Sequence, residues 1–360
     1  MKIAVWPAGL KDDATSFYRL EEPTRCLAGL GVDVEYRAPA PQVLWEGGKG
    51  EWENGNPPPG AKLMGLAERP DADVVVLQRP GRRWIADLIP HLKASGIRVV
   101  VDVDDLFEAI IPQHASHAEF DPRLDPVHNS HWIAVACERA DVVTCTTKLL
   151  VQRYGFGHGV VLPNLVPERY LSVERRMLPQ TIGWSGSVST HPTDLQATDG
   201  QVQRVLDKHR GWAFQVLGPG DGVQQVLGLK QRPGATRWVP IVAYPHFLAQ
   251  FEIGIVPLAD IPFNHGKSWL KMSELAALGV PVVASATPDN ERLHGLGVGL
   301  IASTPKQWFR RLNSLIEHPD LRLEVAEKGR DAMRRLTYEN HCERWLLAWT
   351  GSKSLMKSAA

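Results

Sequence analysis

PFNHGKSWLKMSELAALGVPVVAS, residues 262–285, joins a charged amphipathic stretch to a short β-branched run, with Gly279 and Pro281 between them. On a helix, Lys267, Lys271 and Glu274 recur at spacings of four and three and share one face, presenting two cations and a carboxylate to a single ligand. Lysines and free N–H groups at a helix start stabilise the charge of a diphosphate, and a carboxylate one turn on accepts hydrogen bonds from a ribose diol. The run Val280 to Ser285 reads as a central parallel strand packed behind that helix. A solvated Lys/Glu stripe is the plainer alternative for such a face.

Working outward, strands alternate with helical stretches, the pattern of parallel sheets covered by helices. The first series of strands reads 2–6, 32–36, 73–78, 98–103, 142–146 and 160–163. A second reads 181–184, 213–217, 236–239, 253–257, 280–284 and 299–302. This is α/β architecture in two doubly wound, Rossmann-like halves. The expected organisation is a first domain over 1–165, a proline- and charge-rich linker over 166–179, a second domain over 180–337 and a C-terminal helix over 338–360 that packs elsewhere, on the first domain. Ligands of such folds sit at the carboxyl ends of the strands.

Composition narrows the function. The 360 residues carry 40 basic and 40 acidic side chains, so there is no broad basic surface for nucleic acid. No apolar run approaches a membrane span, and MKIAVWPAG reads as a first strand and turn without a signal peptide's sections, so a soluble cytoplasmic protein is expected. Cys26, Cys137, Cys145 and Cys342 lack paired spacing and read as reduced, mostly buried thiols; no metal is assigned. His114, His117, His128 and His131 do not match a compact zinc site either. Nothing in the sequence speaks to oligomeric state.

Several separate segments carry a resemblance. SFYRLEEPTRCLAGLGVDV, VVVDVDDLF, ADVVTCTTKLL with VVLPNLVPERY, IGWSGSVSTHPTDL and above all FEIGIVPLADIPFNHGKSWLKMSELAALGVPVVAS resemble glycosyltransferases of the GT-B fold, close to the family 4 or group 1 type. The resemblance implies two Rossmann-like doubly wound domains facing across a cleft, and transfer of a sugar from a nucleoside diphosphate sugar, UDP- or GDP-linked, to an acceptor with retention. It implies no cofactor and no metal. It also places Glu274 on the nucleotide ribose and basic residues on the diphosphate. One departure is visible: many family 4 enzymes carry a second glutamate eight positions before the first, where this chain has Gly266. The pattern here is Asn264, Lys267-Ser268, Lys271, Glu274.

The expected site follows. Lys267 and Lys271 hold the departing diphosphate, whose oxygen helps remove the acceptor proton, and Asn264 and Ser268 belong to the same donor pocket. Gly186 and Ser187, in a turn of small residues after a strand, allow close approach of a phosphate. That turn lacks the three-glycine dinucleotide spacing. His191 faces the substrate from a loop, while Thr193 or Asp194 caps the next helix. In the first half, the loop Trp6 to Ser16 faces the acceptor and donor phosphates by resemblance, with Arg19 an anion contact. Asp102, Asp104 and Asp105 end a strand, and the last two are expected to orient sugar hydroxyls. Their Asp-x-Asp string also suits a hard cation, a reading that the two-domain architecture disfavours. The Gly/Pro-rich stretch 38–61 is expected to be a long loop bearing Trp45 and Trp52, either as sugar platforms or as pins. A sugar-nucleotide epimerase or hydrolase on the same fold and a noncatalytic carbohydrate-binding protein are the alternatives.

Overall fold

Runs such as Val74-Val75-Val76-Leu77 and Val99-Val100-Val101 bury side chains on both faces, which only a parallel sheet covered on both sides accommodates. A computed structural model describes residues 1–9, 14–47, 57–58 and 60–352. The first sheet holds β1 (Lys2–Trp6), β2 (Asp33–Tyr36), β5 (Val74–Gln78), β6 (Arg98–Val103), β7 (Val142–Cys145) and β8 (Gly159–Val161), all parallel, in the order β2-β1-β5-β6-β7-β8. A separate antiparallel pair, β3 (Val43–Glu46) and β4 (Lys62–Leu66), stands between β2 and β5 in sequence. The second sheet, also parallel, holds β9 (Thr181–Ser185), β10 (Ala213–Leu217), β11 (Gly234–Thr236), β12 (Ile253–Val256), β13 (Val282–Ser285) and β14 (Leu300–Ala302), in the order β11-β10-β9-β12-β13-β14.

The chain divides into two compact units, one of Met1–Ile110, Ser116–Pro163 and His341–Ala360, the other of Ile111–Ala115 and Asn164–Asn340. In the second, strand order reverses between β9 and β12, which pair only at Ile253 with Ile182 and Gly254 with Gly183. Glycine lets neighbouring side chains approach closely at both Gly183 and Gly254. A Cβ on Gly183 would lie 2.0 Å from the Phe251 ring, and one on Gly254 would lie 2.7 Å from Leu275 in the helix Leu270–Ala277. That helix therefore lies directly over β12. In the first unit the order reverses between β1 and β5.

Three expectations are corrected. Residues 262–277 form two helices, Pro262–His265 and Leu270–Ala277, so Lys267 lies between them and does not share a helical face with Lys271. Tertiary contacts hold the break: the Asn164 amide donates to Ser268 Oγ at 2.8 Å, and the Trp269 indole donates to the Asn164 carbonyl at 2.6 Å. The stretch 38–61 is not wholly a loop, since β3 falls within it. Trp45 packs edge-on against Trp84 with ring centroids 6.4 Å apart, and Trp52 lies outside the described residues. Finally, Cys26 and Cys342 are not separate thiols but form a disulfide with Cα atoms 5.9 Å apart, while Cys137 and Cys145 are buried and free. No helix among the described residues is long and apolar enough to cross a membrane, and no group of three or more His, Cys, Asp or Glu among them is arranged to hold a metal.

Candidate active site

Beyond the carboxyl ends of β9 and β12 in the second sheet, polar side chains from the segments after the two strands meet. Lys271 reaches there from the first turn of its helix. Its Nζ donates to the Ser185 carbonyl at 2.7 Å and meets His191 Nε2 at 3.2 Å. His191 Nδ1 lies 2.7 Å from Asp194 Oδ2. Asp194 Oδ1 in turn accepts from the Asn264 amide at 2.6 Å and from the Ala259 N–H at 3.1 Å. An ammonium has no lone pair, so Nε2 must be the acceptor and the imidazole proton sits on Nδ1, facing Asp194. The ligand-side end of this chain is thus a cation whose orientation is fixed three residues deep.

Burial sets its charge state. Burial first, then the neighbouring Lys267, pulls the Lys271 pKa down to about 8 against the pull of Glu274 and Asp194. His191 is pushed down to about 4 by burial and then by Lys271, and it is neutral at pH 7. Asp194 is driven upward by burial, but the His191 hydrogen bond, followed by those from Ala259 and Asn264, outweighs this and holds it below the usual carboxylate range. The Lys271 ammonium lies 5.8 Å from the centroid of the Trp184 ring, and Lys267 lies 4.3 Å from that of Phe263. With two of its three N–H groups committed, Lys271 keeps one for an anion.

The sequence-read residues separate into groups. Lys267, Lys271 and His191 come together, since both lysines act on the His191 titration. Asn264 is 1% exposed and spends its amide on Asp194 and on the Ala259 carbonyl, 3.0 Å away, so it positions His191 instead of reaching a ligand. Glu274 lies one turn past Lys271 and is only 2% exposed; with burial, it keeps the Tyr244 phenol protonated. Ser268 accepts from Asn164. Gly186 donates its N–H to the Leu217 carbonyl at 3.1 Å, so this turn is closed onto β10 and offers no amide at that position for a phosphate. Ser187 bonds Ser189 through their hydroxyls at 2.8 Å and lends its carbonyl to His191 N–H.

Sequence reasoning missed Tyr244, whose hydroxyl lies 2.7 Å from Ser185 Oγ, and Trp238, 56% exposed and 3.5 Å from where a Cβ on Gly218 would stand. The sequence reads 236–239 as a strand, whereas the strand runs Gly234–Thr236 and Trp238 follows it in a loop, which removes the alternation that would have placed its ring. In the first unit, Arg19 is 1% exposed. It binds the 0% exposed Asp102 through two bonds, of 3.0 and 2.6 Å, and donates to the Leu162 carbonyl at 2.7 Å, so it is a buried internal pair and not a free anion contact. Asp104 receives a forked pair of bonds from Arg79 at 2.5 and 2.6 Å, with Asp105 at 3.4 Å from the same guanidinium. Those carboxylates are occupied by an arginine instead of standing open to a sugar.

Two parallel Rossmann-like sheets of this order define the GT-B fold class, and comparison with known proteins bears it out. Residues 201–347 match the family described as glycosyl transferase-like. No curated protein matches the chain by sequence. Among solved structures, sucrose-phosphate synthase from Thermosynechococcus elongatus is similar at 12% identity, over 96% of this chain and 97% of that one, with a TM-score of 0.61. HepE from Anabaena, solved with UDP and glucose, is similar at 12% identity over 98% and 100% of the two chains, again with a TM-score of 0.61. A glycosyltransferase from Rickettsia africae gives 11% identity, 99% and 98% coverage and a TM-score of 0.61. The resemblance to GT-B glycosyltransferases read from the sequence therefore holds at the level of fold and of the matched domain.

Proposed function

We propose that the protein is a glycosyltransferase that moves a sugar from a nucleoside diphosphate sugar to a hydroxyl acceptor. The observation that carries this reading is the Lys271–His191–Asp194 chain at the point where the strand order of the second sheet reverses, with Lys271 inside the region, 201–347, that matches the glycosyl transferase-like family. Breaking the anomeric bond places negative charge on the departing diphosphate. A pre-aimed ammonium with a spare N–H and a second lysine nearby stabilise that charge where it forms, without reorganising at the moment of reaction. Neutral His191 serves as a positioning residue, since a charged imidazole there would repel Lys271. Asp194 fixes its tautomer. Lysines filling this electrostatic role make a metal unnecessary.

A UDP-linked donor is the first choice, because HepE holds UDP and glucose on the same fold. Glu274 is assigned the ribose diol; its burial means that it works from beneath the ligand, as the floor of the pocket. Trp238 is assigned a stacking role against the base. Retention of anomeric configuration is the proposed course, with the leaving diphosphate oxygen taking the acceptor proton, and a soluble cytoplasmic setting is proposed with it. The test is a panel of UDP, GDP, ADP and dTDP sugars read by thermal shift and nucleotide release, with and without chelator and acceptor. The reading expects one nucleotide to stabilise the protein, and it expects release to require acceptor. Release without acceptor points to a hydrolase or epimerase, and glycan binding with no nucleotide effect points to a carbohydrate-binding protein.

A further inference from the structure

A lysine ammonium carries three N–H groups, whereas the amine left after loss of a proton carries two and a lone pair. At Lys271 two directions are taken, one by the Ser185 carbonyl at 2.7 Å and the other by His191 Nε2 at 3.2 Å. Both partners are acceptors, and they accept from an uncharged amine as they do from an ammonium. Loss of the third proton therefore breaks no hydrogen bond. The lone pair takes the place of that proton, and because the two N–H directions are held, its direction is held as well. His191 cannot turn away, since its Nδ1 lies 2.7 Å from Asp194 Oδ2 and Asp194 is 3% exposed. Lys271 itself is partly exposed, in contrast to Glu274 one turn on, which is 2% exposed. The structure thus holds a nucleophilic nitrogen aimed away from its own supports.

The charges around this nitrogen make the amine accessible near neutral pH. Burial and Lys267 disfavour the ammonium, Glu274 on the same helix and Asp194 beyond β9 favour it, and the balance falls at about 8. Neutral His191 adds no charge. At pH 7.5 roughly a quarter of the molecules carry the amine, against about 0.1% for a lysine of ordinary pKa. Other lysines are held as ammonium by carboxylates. Lys2 lies 3.0 Å from Asp71 and 3.3 Å from Glu35, which raise its pKa. Lys208, Lys230 and Lys328 lie 2.6, 2.7 and 2.5 Å from Glu317, Asp207 and Glu324. A desolvated lysine amine is the group that forms Schiff bases with carbonyl compounds. Lys267, whose ammonium lies 4.3 Å from the centroid of the Phe263 ring, acts on the titration of both Lys271 and His191. A phosphate drawn to that cation is brought beside the amine.

We propose that Lys271 is a modification site, at which the amine captures a phosphorylated aldehyde as an imine and so blocks the donor pocket. Nζ bonds to the carbonyl carbon as the C=O bond opens. Both amine protons pass to the carbonyl oxygen, which leaves as water, and no oxidant or reductant takes part. Protonated by solvent, the imine keeps one N–H for the Ser185 carbonyl or His191. The capture stands on the geometry of Lys271, while its competition with a nucleotide sugar rests on the transferase reading. The test treats the full chain at pH 7.5 with glyceraldehyde 3-phosphate and cyanoborohydride, which fixes the imine as a secondary amine, and follows each lysine by peptide mapping. We expect Lys271 to be labelled at least tenfold faster than Lys2, Lys208, Lys230 and Lys328. Its rate should level off above pH 8 while theirs keep rising. Glyceraldehyde without the phosphate should label Lys271 at least threefold more slowly, and Lys267→Gln should remove that difference. A Lys271 rate less than tenfold above those of the ion-paired lysines overturns the proposal, and so does a phosphate advantage below threefold. UDP separates the two readings, since on the transferase reading it protects Lys271. Labelling that UDP does not slow leaves the capture standing and sinks the competition with donor. A UDP thermal shift in a protein whose Lys271 resists the aldehyde sinks the capture and leaves the donor reading in place.

Discussion

Lys271 ties the candidate donor site to pH. Its pKa of about 8, set by burial, lies below the ordinary lysine value of 10.5, so the unfolded chain holds this proton at pH values where the folded chain has released it. The cost of burying the charge is present in full below pH 8 and is relieved as pH rises toward 10.5. On the proposed reading nucleotide binding needs the ammonium, and it then has the opposite dependence. We expect the dissociation constant for UDP to rise about tenfold per pH unit above 8, and Lys271→Ala to bind roughly 10- to 100-fold more weakly at pH 7 with that dependence gone. A fluorescence titration across pH 6.5 to 9.5 on both proteins reads this directly. His191 gives a second window. Its pKa falls from 6.5 to about 4, so its contribution to stability is lost as pH drops from 6.5 to 4, and His191→Gln should flatten thermal stability across that interval.

At the scale of elements, what was legible in the sequence followed from apolar runs and small residues. The parallel strands were visible because valine runs buried on both faces leave no other reading, and the lysines were visible because their spacing is local. Lys267 was misplaced because the helix break depends on Asn164, about a hundred positions away, which no periodicity reports. The same blindness applies to Arg19. It sits in a π-helical turn, Phe17–Glu21, between the helices Ala14–Ser16 and Glu22–Gly29, and that turn aims its guanidinium inward at Asp102, which also accepts from the Thr144 hydroxyl at 2.6 Å. Removing one partner strands a charge in the core. Arg19→Ala should therefore destabilise the first unit by about 3–5 kcal/mol, while Arg19→Met with Asp102→Leu should cost less than the single change. Denaturant unfolding of the three proteins decides this, and equal losses for single and double variants would show that the pair is not the source. In the second sheet, Gly218 has φ +145° and a Cβ there would lie 2.1 Å from the Gly186 carbonyl. Gly218→Ala should cost about 1–3 kcal/mol and weaken nucleotide binding through the displaced turn beside Lys271.

For the whole molecule, the decisive covalent feature is the link between Cys26, in the helix Glu22–Gly29, and Cys342, at the start of the helix Cys342–Thr350. Both belong to the first unit, yet the chain between them, a sequence separation of 316, contains the described body of the second. A loop of that length implies about 6 kcal/mol by chain entropy, against about 2–4 for typical disulfides. That figure applies only if the second unit is unfolded as well, and a loop of roughly 140 residues implies about 5. While it is folded, the backbone bridge between Val166 and Thr337 holds its two ends together, so the loop that the bond closes is little more than residues 26–163. A calorimetric scan should then show two transitions, with reductant lowering the one that belongs to the first unit and leaving the other in place. Cys26→Ser should reproduce that lowering and lose sensitivity to reductant. The Cys342–Thr350 helix buries Trp345, Leu346 and Trp349, so truncation before His341 should lower the same transition further than Cys26→Ser does, because it removes packing as well as the tether. Equal shifts of both transitions under reductant would mean that the two units unfold as one cooperative body and that the tether acts on the whole chain.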